Sequence, residues 1–191
     1  MLRNRQREPV QRSIVYPQNL FADEAPTASG ATVWSCLRTK PRSEKRFAEW
    51  LSGRSAPHFL PTLVRMTKSH RRVRRTLAPL FPGYLFVAGE ASKSDFKGAP
   101  WLVDVVPATA EQQRALHGEL WRLHRALESG SPLELVNELE PGEMVEVVAG
   151  AMKGVLGRFQ RWGKQGRLVL WVEMLGAGAS VEIDEACVSR L

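Results

Sequence analysis

The sequence predicts an α/β domain followed by a small all-β barrel of the SH3 type. Up to residue 128, short β-branched and aromatic segments alternate with helical patterns. Beyond residue 140 the chain has about five short alternating strands joined by glycine turns, and Pro132, Pro141 and Gly142 separate the two parts. We therefore expect a flexible tail over residues 1–30, the α/β domain over 31–128, a linker over 129–140 and the barrel over 141–191.

The tail is predicted from its composition. It combines several arginines with prolines and closes on "TASGAT", a pattern that is typical of a segment without a core of its own. A nucleic-acid-binding arm is the alternative interpretation.

The first ordered elements should be a strand and a short helix. "TVWSCLRT" (32–39) has strand composition, and Thr39 can cap a helix whose first turn holds Pro41 and which ends at Gly53. A second strand, "WLVDVV" (101–106), precedes a helix that begins at Thr109 with a capping box to Gln112. Four leucines share one face of that helix and predict that it covers a sheet: Leu116, Leu120, Leu123 and Leu127.

The stretch "APLFPGYLFV" (78–87) predicts a strand that is apolar on both faces. Tyr84 and Phe86 share one face because side chains alternate along a strand, so Leu85 and Val87 share the other. Two apolar faces need two coverings. Either the fold supplies both, or a partner protein supplies one.

A β-hairpin rich in arginine precedes this stretch, with strands "TLVRM" and "RVRRTL" around a "KSHR" tip. Its basic residues have no acid between them and predict an arm that lies along phosphates or an acidic protein groove: Arg65, Lys68, His70, Arg71, Arg72, Arg74 and Arg75. The alternative is a solvated edge that charge protects from aggregation. A second basic cluster lies at the start of the first helix: Lys40, Arg42, Lys45 and Arg46.

Composition favours a binding protein over an enzyme. The formal charge of +7 is typical of a protein that works near a polyanion. The four histidines form no metal-ligand or catalytic pattern, so we expect neither an enzyme nor a cofactor. His117 and His124 are interpreted as surface or satisfied side chains. Cys36 and Cys187 are interpreted as reduced thiols of a cytoplasmic protein, and no apolar run has the length of a membrane span.

The segment "MVEVVAGAMKGVLGRF" resembles the KOW motif, in which a strand turns at a glycine and continues into a second strand. Gly150, Gly154 and Gly157 would provide backbone angles that a β-carbon penalises. The side chains of this turn are either barrel core or an exposed tip that binds a partner: Met152, Lys153, Val155 and Leu156.

With "VWSCLRTKPRSEKRFAEWL" and "PLFPGYLFV", the chain resembles the NusG family of transcription elongation factors over residues 33–191. The "RTKPRSE" phrase and the arginine-rich hairpin are more similar to the specialised paralogues of the RfaH type than to housekeeping NusG. The resemblance implies an antiparallel sheet flanked by helices, which docks an apolar face on a coiled coil of the RNA polymerase clamp. By position, the docking residues would be Arg38, Phe81, Tyr84 and Phe86.

The resemblance also implies contact with upstream DNA or the non-template strand, through Lys40, Arg42, Arg71, Arg72, Arg74 and Arg75. The hypothesis is a monomeric transcription elongation or antitermination factor that binds RNA polymerase and modulates pausing or termination at particular operons. One alternative is housekeeping NusG activity with Rho or a small-subunit ribosomal protein. Another is a ribosome- or RNA-binding protein that uses a basic and aromatic surface of the barrel: Arg158, Arg161, Trp162, Lys164 and Arg167.

Overall fold

The computed structural model describes residues 13–22, 32–69, 72–162 and 165–191. The helices are α1 (Glu44–Ser52) and α2 (Ala110–Glu128). The strands of the N-terminal part are β1 (Ile14–Tyr16), β2 (Trp34–Thr39), β3 (His58–Leu60), β4 (Thr62–Ser69), β5 (Arg72–Pro79), β6 (Tyr84–Ala88) and β7 (Leu102–Val106). The strands of the C-terminal part are β8 (Leu133–Val136), β9 (Glu143–Val147), β10 (Leu156–Trp162), β11 (Gln165–Val172), β12 (Ala177–Ile183) and β13 (Val188–Arg190).

The N-terminal part is built on a five-stranded antiparallel sheet in the order β1-β3-β6-β2-β7. Helices α1 and α2 contribute to its two apolar clusters, one on each face. The predicted α/β architecture is therefore confirmed. The predicted hairpin is present as the separate two-stranded sheet β4-β5, which pairs from Thr62 opposite Pro79 to Ser69 opposite Arg72.

Helix α1 begins later than predicted. Its N-cap is Ser43, whereas Thr39 is the last residue of β2 and donates its backbone N–H to the Gly83 carbonyl at 2.8 Å. A turn in which Arg42 has a positive φ of 62° separates the strand from the helix. The end of α1 at Gly53 is as predicted.

Helix α2 confirms its sequence signals. The Thr109 hydroxyl accepts from the Gln112 N–H at 3.2 Å, and the Gln112 side chain accepts from the Thr109 N–H at 3.0 Å. This reciprocal pair satisfies two backbone donors at the helix start. The predicted apolar stripe is buried along its whole length, with each leucine at most 1% exposed: Leu116, Leu120, Leu123 and Leu127.

The C-terminal part is a six-stranded antiparallel sheet in the order β13-β9-β10-β11-β12-β8. Gly150 and Gly154 have positive φ values of 82° and 85°, as the turn prediction requires. Gly157 has a different reason to be glycine, because a β-carbon there would lie 2.8 Å from the Leu168 side chain. The all-β prediction is confirmed, and the closed barrel of the KOW type stays a prediction.

Two predicted boundaries are wrong. Residues 133–136 of the expected linker form β8, which pairs with β12, because Leu133 can bury its side chain there to 7% exposure. Residues 14–16 of the expected flexible tail form β1, which pairs with β3. Phe21 in the same tail is buried, and composition did not predict it because one aromatic ring can fill a core position within a polar segment.

The alternation of β6 distributes its side chains between two apolar clusters. Leu85 and Val87 pack with Phe47 and Leu51 of α1. Phe86 packs in the second cluster, which includes the α2 leucines and extends into the C-terminal sheet. Cys36 is buried in the second cluster as a free thiol, and burial raises its pKa to about 12, so it is unreactive at neutral pH.

Candidate functional site

The candidate site is the α2 face of the N-terminal sheet, where Tyr84 and Phe86 lie. Phe86 is opposite Cys36 of β2 and Phe59 of β3, and its side chain is 0% exposed. Phe81 packs edge-on against it, with the ring centroids 6.5 Å apart, and is 3% exposed. The expectation that Phe81 and Phe86 lie on a free apolar face is therefore wrong for this structure.

The fold itself supplies both coverings of β6. The leucine stripe of α2 and the side chain of Phe86 belong to one buried cluster. Those leucines need an apolar surface as much as the strand needs a covering, because each side chain buried from water contributes about 1.5–3 kcal/mol. Helix α2 and the sheet therefore bury each other's apolar surfaces.

Tyr84 lies at the rim of this covered face and is half-buried. With Phe81 it lines a crevice of about 200 Å³, whose other wall comes from the C-terminal part. That wall consists of Leu135, Asn137, Leu175, Gly176 and Ala177. Arg38 is paired opposite Tyr84 in the sheet and is exposed. Of the predicted docking residues, Arg38 and Tyr84 are thus accessible from solvent.

The contact between α2 and the C-terminal part contains a buried carboxylate. Glu119 is 8% exposed, and its Oε1 accepts a hydrogen bond of 3.3 Å from the backbone N–H of Glu173. Its Oε2 is buried and has no hydrogen-bond partner within the described ranges. Burial raises the pKa of the Glu119 carboxyl to about 7, although the Glu173 N–H and nearby Arg122 lower it. The covering of this face is therefore partly polar.

The predicted nucleic-acid residues border a second surface at the base of the hairpin. Lys40, Arg42 and Arg75 are exposed, as is Arg65 on the facing strand. Arg71 lies outside the described residues, and for Arg72 and Arg74 the structure describes only the backbone. Arg42 and Arg65 line an open cleft of about 550 Å³ together with Lys45 and proline side chains.

Two polar contacts fix the geometry of this cleft. The Lys45 ammonium donates to the Leu77 carbonyl, which ties α1 to the hairpin base. The Glu44 side chain is 4% exposed, and its Oε1 accepts a 2.7 Å hydrogen bond from the Gly83 N–H. Since Glu44 already compensates part of the positive charge, the net field of the cleft comes from the exposed arginines.

The KOW-like turn divides into buried and exposed side chains. Met152 and Val155 are 7% and 0% exposed and pack in the core cluster. The interpretation of these two residues as an exposed partner-binding tip is therefore wrong, because the turn folds them inward. Lys153 is exposed and Leu156 is half-buried, so these two side chains remain accessible.

Three of the basic residues proposed for RNA binding by the C-terminal part form ion pairs or hydrogen bonds within the protein. Arg161 forms an ion pair with Glu185, and Arg167 forms one with Glu134 at 3.2 Å. Arg158 donates to the Gly142 carbonyl at 3.3 Å. The side chains of Trp162 and Lys164 lie outside the description. These pairs reduce the positive field that an RNA-binding surface needs.

The histidines of α2 have partners, as expected for satisfied side chains. The Trp34 indole N–H donates to His117 Nδ1 at 2.8 Å. His124 lies 3.4 Å from the Ser13 hydroxyl and pairs with Glu128. Within the part of the chain that the structure describes, no group of three or more metal-ligating side chains is assembled.

Comparison with known proteins gives one family match, which covers part of the N-terminal domain. Residues 32–115 match the NusG family. The matching family is described as transcription termination factor nusG, and the match covers a little under half of the chain. Over these residues the chain is similar to that family. Among curated proteins no significant match is found. In the described ranges, neither helix is long and apolar enough to cross a membrane.

Sequence reasoning missed two residues of the site and did not predict the role of a third. Phe21 was hidden in a polar segment, Glu119 looked like an ordinary surface acid on a helix, and Lys45 looked like one more cation of a basic cluster. Only the spacing of Glu119 gave a signal. It precedes Leu120 and follows Leu116 by three residues, which places it at the border of the apolar stripe.

Proposed function

We propose that this protein is a transcription elongation factor that binds RNA polymerase and modulates pausing or termination. The observation that carries the proposal is the NusG match over residues 32–115, which includes the whole Phe81–Phe86 block. The cleft on the N-terminal domain and the crevice between the two parts supply surfaces for a nucleic acid and a protein.

The polymerase contact is centred on Tyr84 and Arg38. Both side chains are accessible and neighbour each other on β6 and β2. Phe86 lies beside Tyr84 on the same face of β6 as a buried support, and Phe81 contacts both Phe86 and the crevice. A half-buried tyrosine at the edge of an apolar crevice is typical of an interface hot spot, because its ring is already positioned.

The partner on the polymerase is a coiled coil of the clamp, which presents a helical face to the crevice. Moving the C-terminal sheet away from Phe81 would enlarge the apolar surface available to it, since Leu135, Leu175 and Ala177 form the opposite wall. Bridging the clamp in this way would restrain its opening and reduce pausing.

The exposed cations at the hairpin base bind upstream DNA or the non-template strand. Arg42 and Arg65 line one cleft, and Arg75 is exposed on the strand paired with that of Arg65, which favours contact with several phosphates at once. Specialisation for particular operons, as in RfaH-type paralogues, would depend on base contacts from the same hairpin.

The C-terminal part recruits a further factor, and Rho and a small-subunit ribosomal protein are the candidates. Lys153 and Leu156 are the accessible side chains of the predicted tip. The ion pairs of Arg161 and Arg167 make a stand-alone RNA-binding function less favourable than this recruiting role.

The experiment is a binding assay of the full chain with core RNA polymerase, coupled to run-off transcription. We expect the wild type to bind and to change pausing, and Tyr84→Ala to bind more weakly and to change pausing less while remaining folded. Trp50→Ala is the matched control, because Trp50 is a half-buried aromatic on α1 at the other face of the sheet. Equal binding by the folded Tyr84→Ala variant and the wild type contradicts the proposal.

A further inference from the structure

Residues 13–22 lie outside the segment that matches the NusG family, yet they are integrated into the fold. Strand β1 extends the sheet by pairing with β3, with Ile14 opposite Leu60 and Tyr16 opposite His58. The Tyr16 ring also stacks on the His58 ring, at a centroid distance of 5.9 Å. Backbone pairing and this ring contact fix the direction in which the following residues leave the sheet.

The chain then turns onto the α2 face, where Phe21 enters an aromatic slot. The slot is formed by Trp34 of β2, Phe59 of β3, and His117 and His124 of α2. The Phe21 ring lies nearly parallel to Trp34 at 5.5 Å and edge-on to Phe59 at 5.0 Å. It also stacks on His124 at 4.7 Å and on His117 at 6.4 Å. Phe21 is 7% exposed, so the slot encloses it.

The walls of the slot are held together by contacts that do not involve the Phe21 ring. Its walls are joined by the 2.8 Å hydrogen bond from the Trp34 indole to His117, which holds β2 and α2 at a fixed separation. A second polar contact, 3.4 Å between Ser13 and His124, joins the start of the segment to the same helix. Offset and edge-on aromatic arrangements of this kind add to the stabilisation that burial alone provides.

We propose that residues 13–22 are an intramolecular strap that binds the aromatic slot through Phe21 and holds α2 in place over Phe86. The slot recognises one aromatic side chain on an extended segment, and its ligand is this chain's own segment Ser13–Ala22. Of the slot residues, Trp34 and Phe59 belong to the sheet, whereas His117 and His124 belong to the helix. The strap therefore adds a contact between two elements that also meet on this side through apolar packing and the Trp34–His117 hydrogen bond.

Helix α2 is held at two places by different parts of the chain. The strap contacts His117 and His124, and the C-terminal part contacts Glu119 through the Glu173 N–H. Loosening the strap should therefore increase the motion of α2 and ease access to Phe86. This last consequence rests on the proposed function, whereas the strap itself does not.

The test is amide hydrogen exchange of α2 in the full chain, comparing the wild type with Phe21→Ala. We expect at least tenfold faster exchange over residues 113–127 in the variant, and no change in the matched control Gln18→Ala, whose side chain is exposed in the same segment. Phe21→Trp should retain most of the protection because an aromatic ring is kept. Unchanged α2 exchange in folded Phe21→Ala overturns the proposal.

A second measurement covers the case in which Phe21→Ala does not fold. The full-length variants Phe21→Leu and Phe21→Trp are compared by the same exchange measurement, because leucine keeps an apolar side chain in the slot but removes the ring. We expect faster exchange over residues 113–127 in Phe21→Leu than in Phe21→Trp. Equal exchange in these two folded variants overturns the strap. Polymerase affinity is measured separately, so a strap that holds while polymerase binding is absent refutes the proposed function alone.

Discussion

The two faces of the N-terminal sheet are covered in different ways. On the α1 face, a nine-residue helix and β6 form a compact cluster of apolar side chains, such as Phe47, Leu51 and Leu85. On the α2 face, the covering combines a long helix, the residue 13–22 strap and the C-terminal sheet, and it contains a buried carboxylate and two histidines. The first face is built for stability. The second is assembled from three parts of the chain and combines apolar packing with polar contacts.

Removing a large ring from either face gives the largest expected effect. Phe47 and Phe86 are both 0% exposed, so Phe47→Ala and Phe86→Ala should each lower the free energy of unfolding by about 3–5 kcal/mol. Urea unfolding measures this loss. Hydrogen exchange should then separate the faces, because only Phe86→Ala removes a neighbour of α2. Equal α2 exchange in the two variants would contradict the distinction between the faces.

The second largest effect is expected at the buried carboxyl of Glu119. It is a change in the free energy of unfolding that depends on pH. Because burial raises the pKa of Glu119 to about 7, the folded state retains a proton that the unfolded state has lost. The free energy of unfolding should therefore fall as pH rises from about 4.5 to 7, by up to about 3 kcal/mol.

Glu119→Gln should remove that part of the pH dependence, since the amide stays neutral. Unfolding of the wild type and the variant is compared at intervals between pH 5 and pH 8.5. Glu111→Gln is the control, because Glu111 is exposed on the same helix. Parallel pH profiles for the wild type and Glu119→Gln would show that Glu119 is already ionised in the folded protein.

Truncation at the rim of the α2 face should affect binding more than stability. Tyr84→Ala should weaken polymerase binding about 30-fold, which corresponds to about 2 kcal/mol, as for an interface hot spot. Its effect on unfolding should stay near 1 kcal/mol because the side chain is only half-buried. A titration against core polymerase and a urea unfolding curve measure the two quantities on the same preparation.

The smallest effect is expected at the hairpin base. Arg42→Gln and Arg75→Gln should each reduce the dependence of log affinity for single-stranded DNA on log salt by about 0.7 per lost phosphate contact. Arg114→Gln, an exposed arginine on α2, should leave the slope unchanged. If all three variants show the same salt dependence as the wild type, the hairpin base is a solvated edge.

The sequence was sufficient to predict most helices and strands of the N-terminal sheet and insufficient to predict what covers its α2 face. Helix and strand periodicity located α2, β6 and the leucine stripe, because these signals are local. Alternation also predicted that Tyr84 and Phe86 share a face. It could not predict what covers them, since Phe21, Glu119 and Leu175 reach that face from distant parts of the chain.

The C-terminal part shows the same limit. Glycine spacing predicted the turn with Gly150 and Gly154, because a positive φ is a property of a single residue. The burial of Met152 and Val155 depends on neighbouring strands, so an exposed tip and a core were equally compatible with the sequence. Strand β8 was assigned to a linker for the same reason.

Hydroxyl-radical footprinting of the full chain, with and without core RNA polymerase, tests the central claim most directly. It reports the solvent accessibility of individual side chains on both faces in one experiment. The account predicts protection of Tyr84 in the complex and unchanged labelling of Trp50 and Trp101, which lie half-buried on the α1 side. Protection of Trp50 and Trp101 with unchanged labelling of Tyr84 would contradict it.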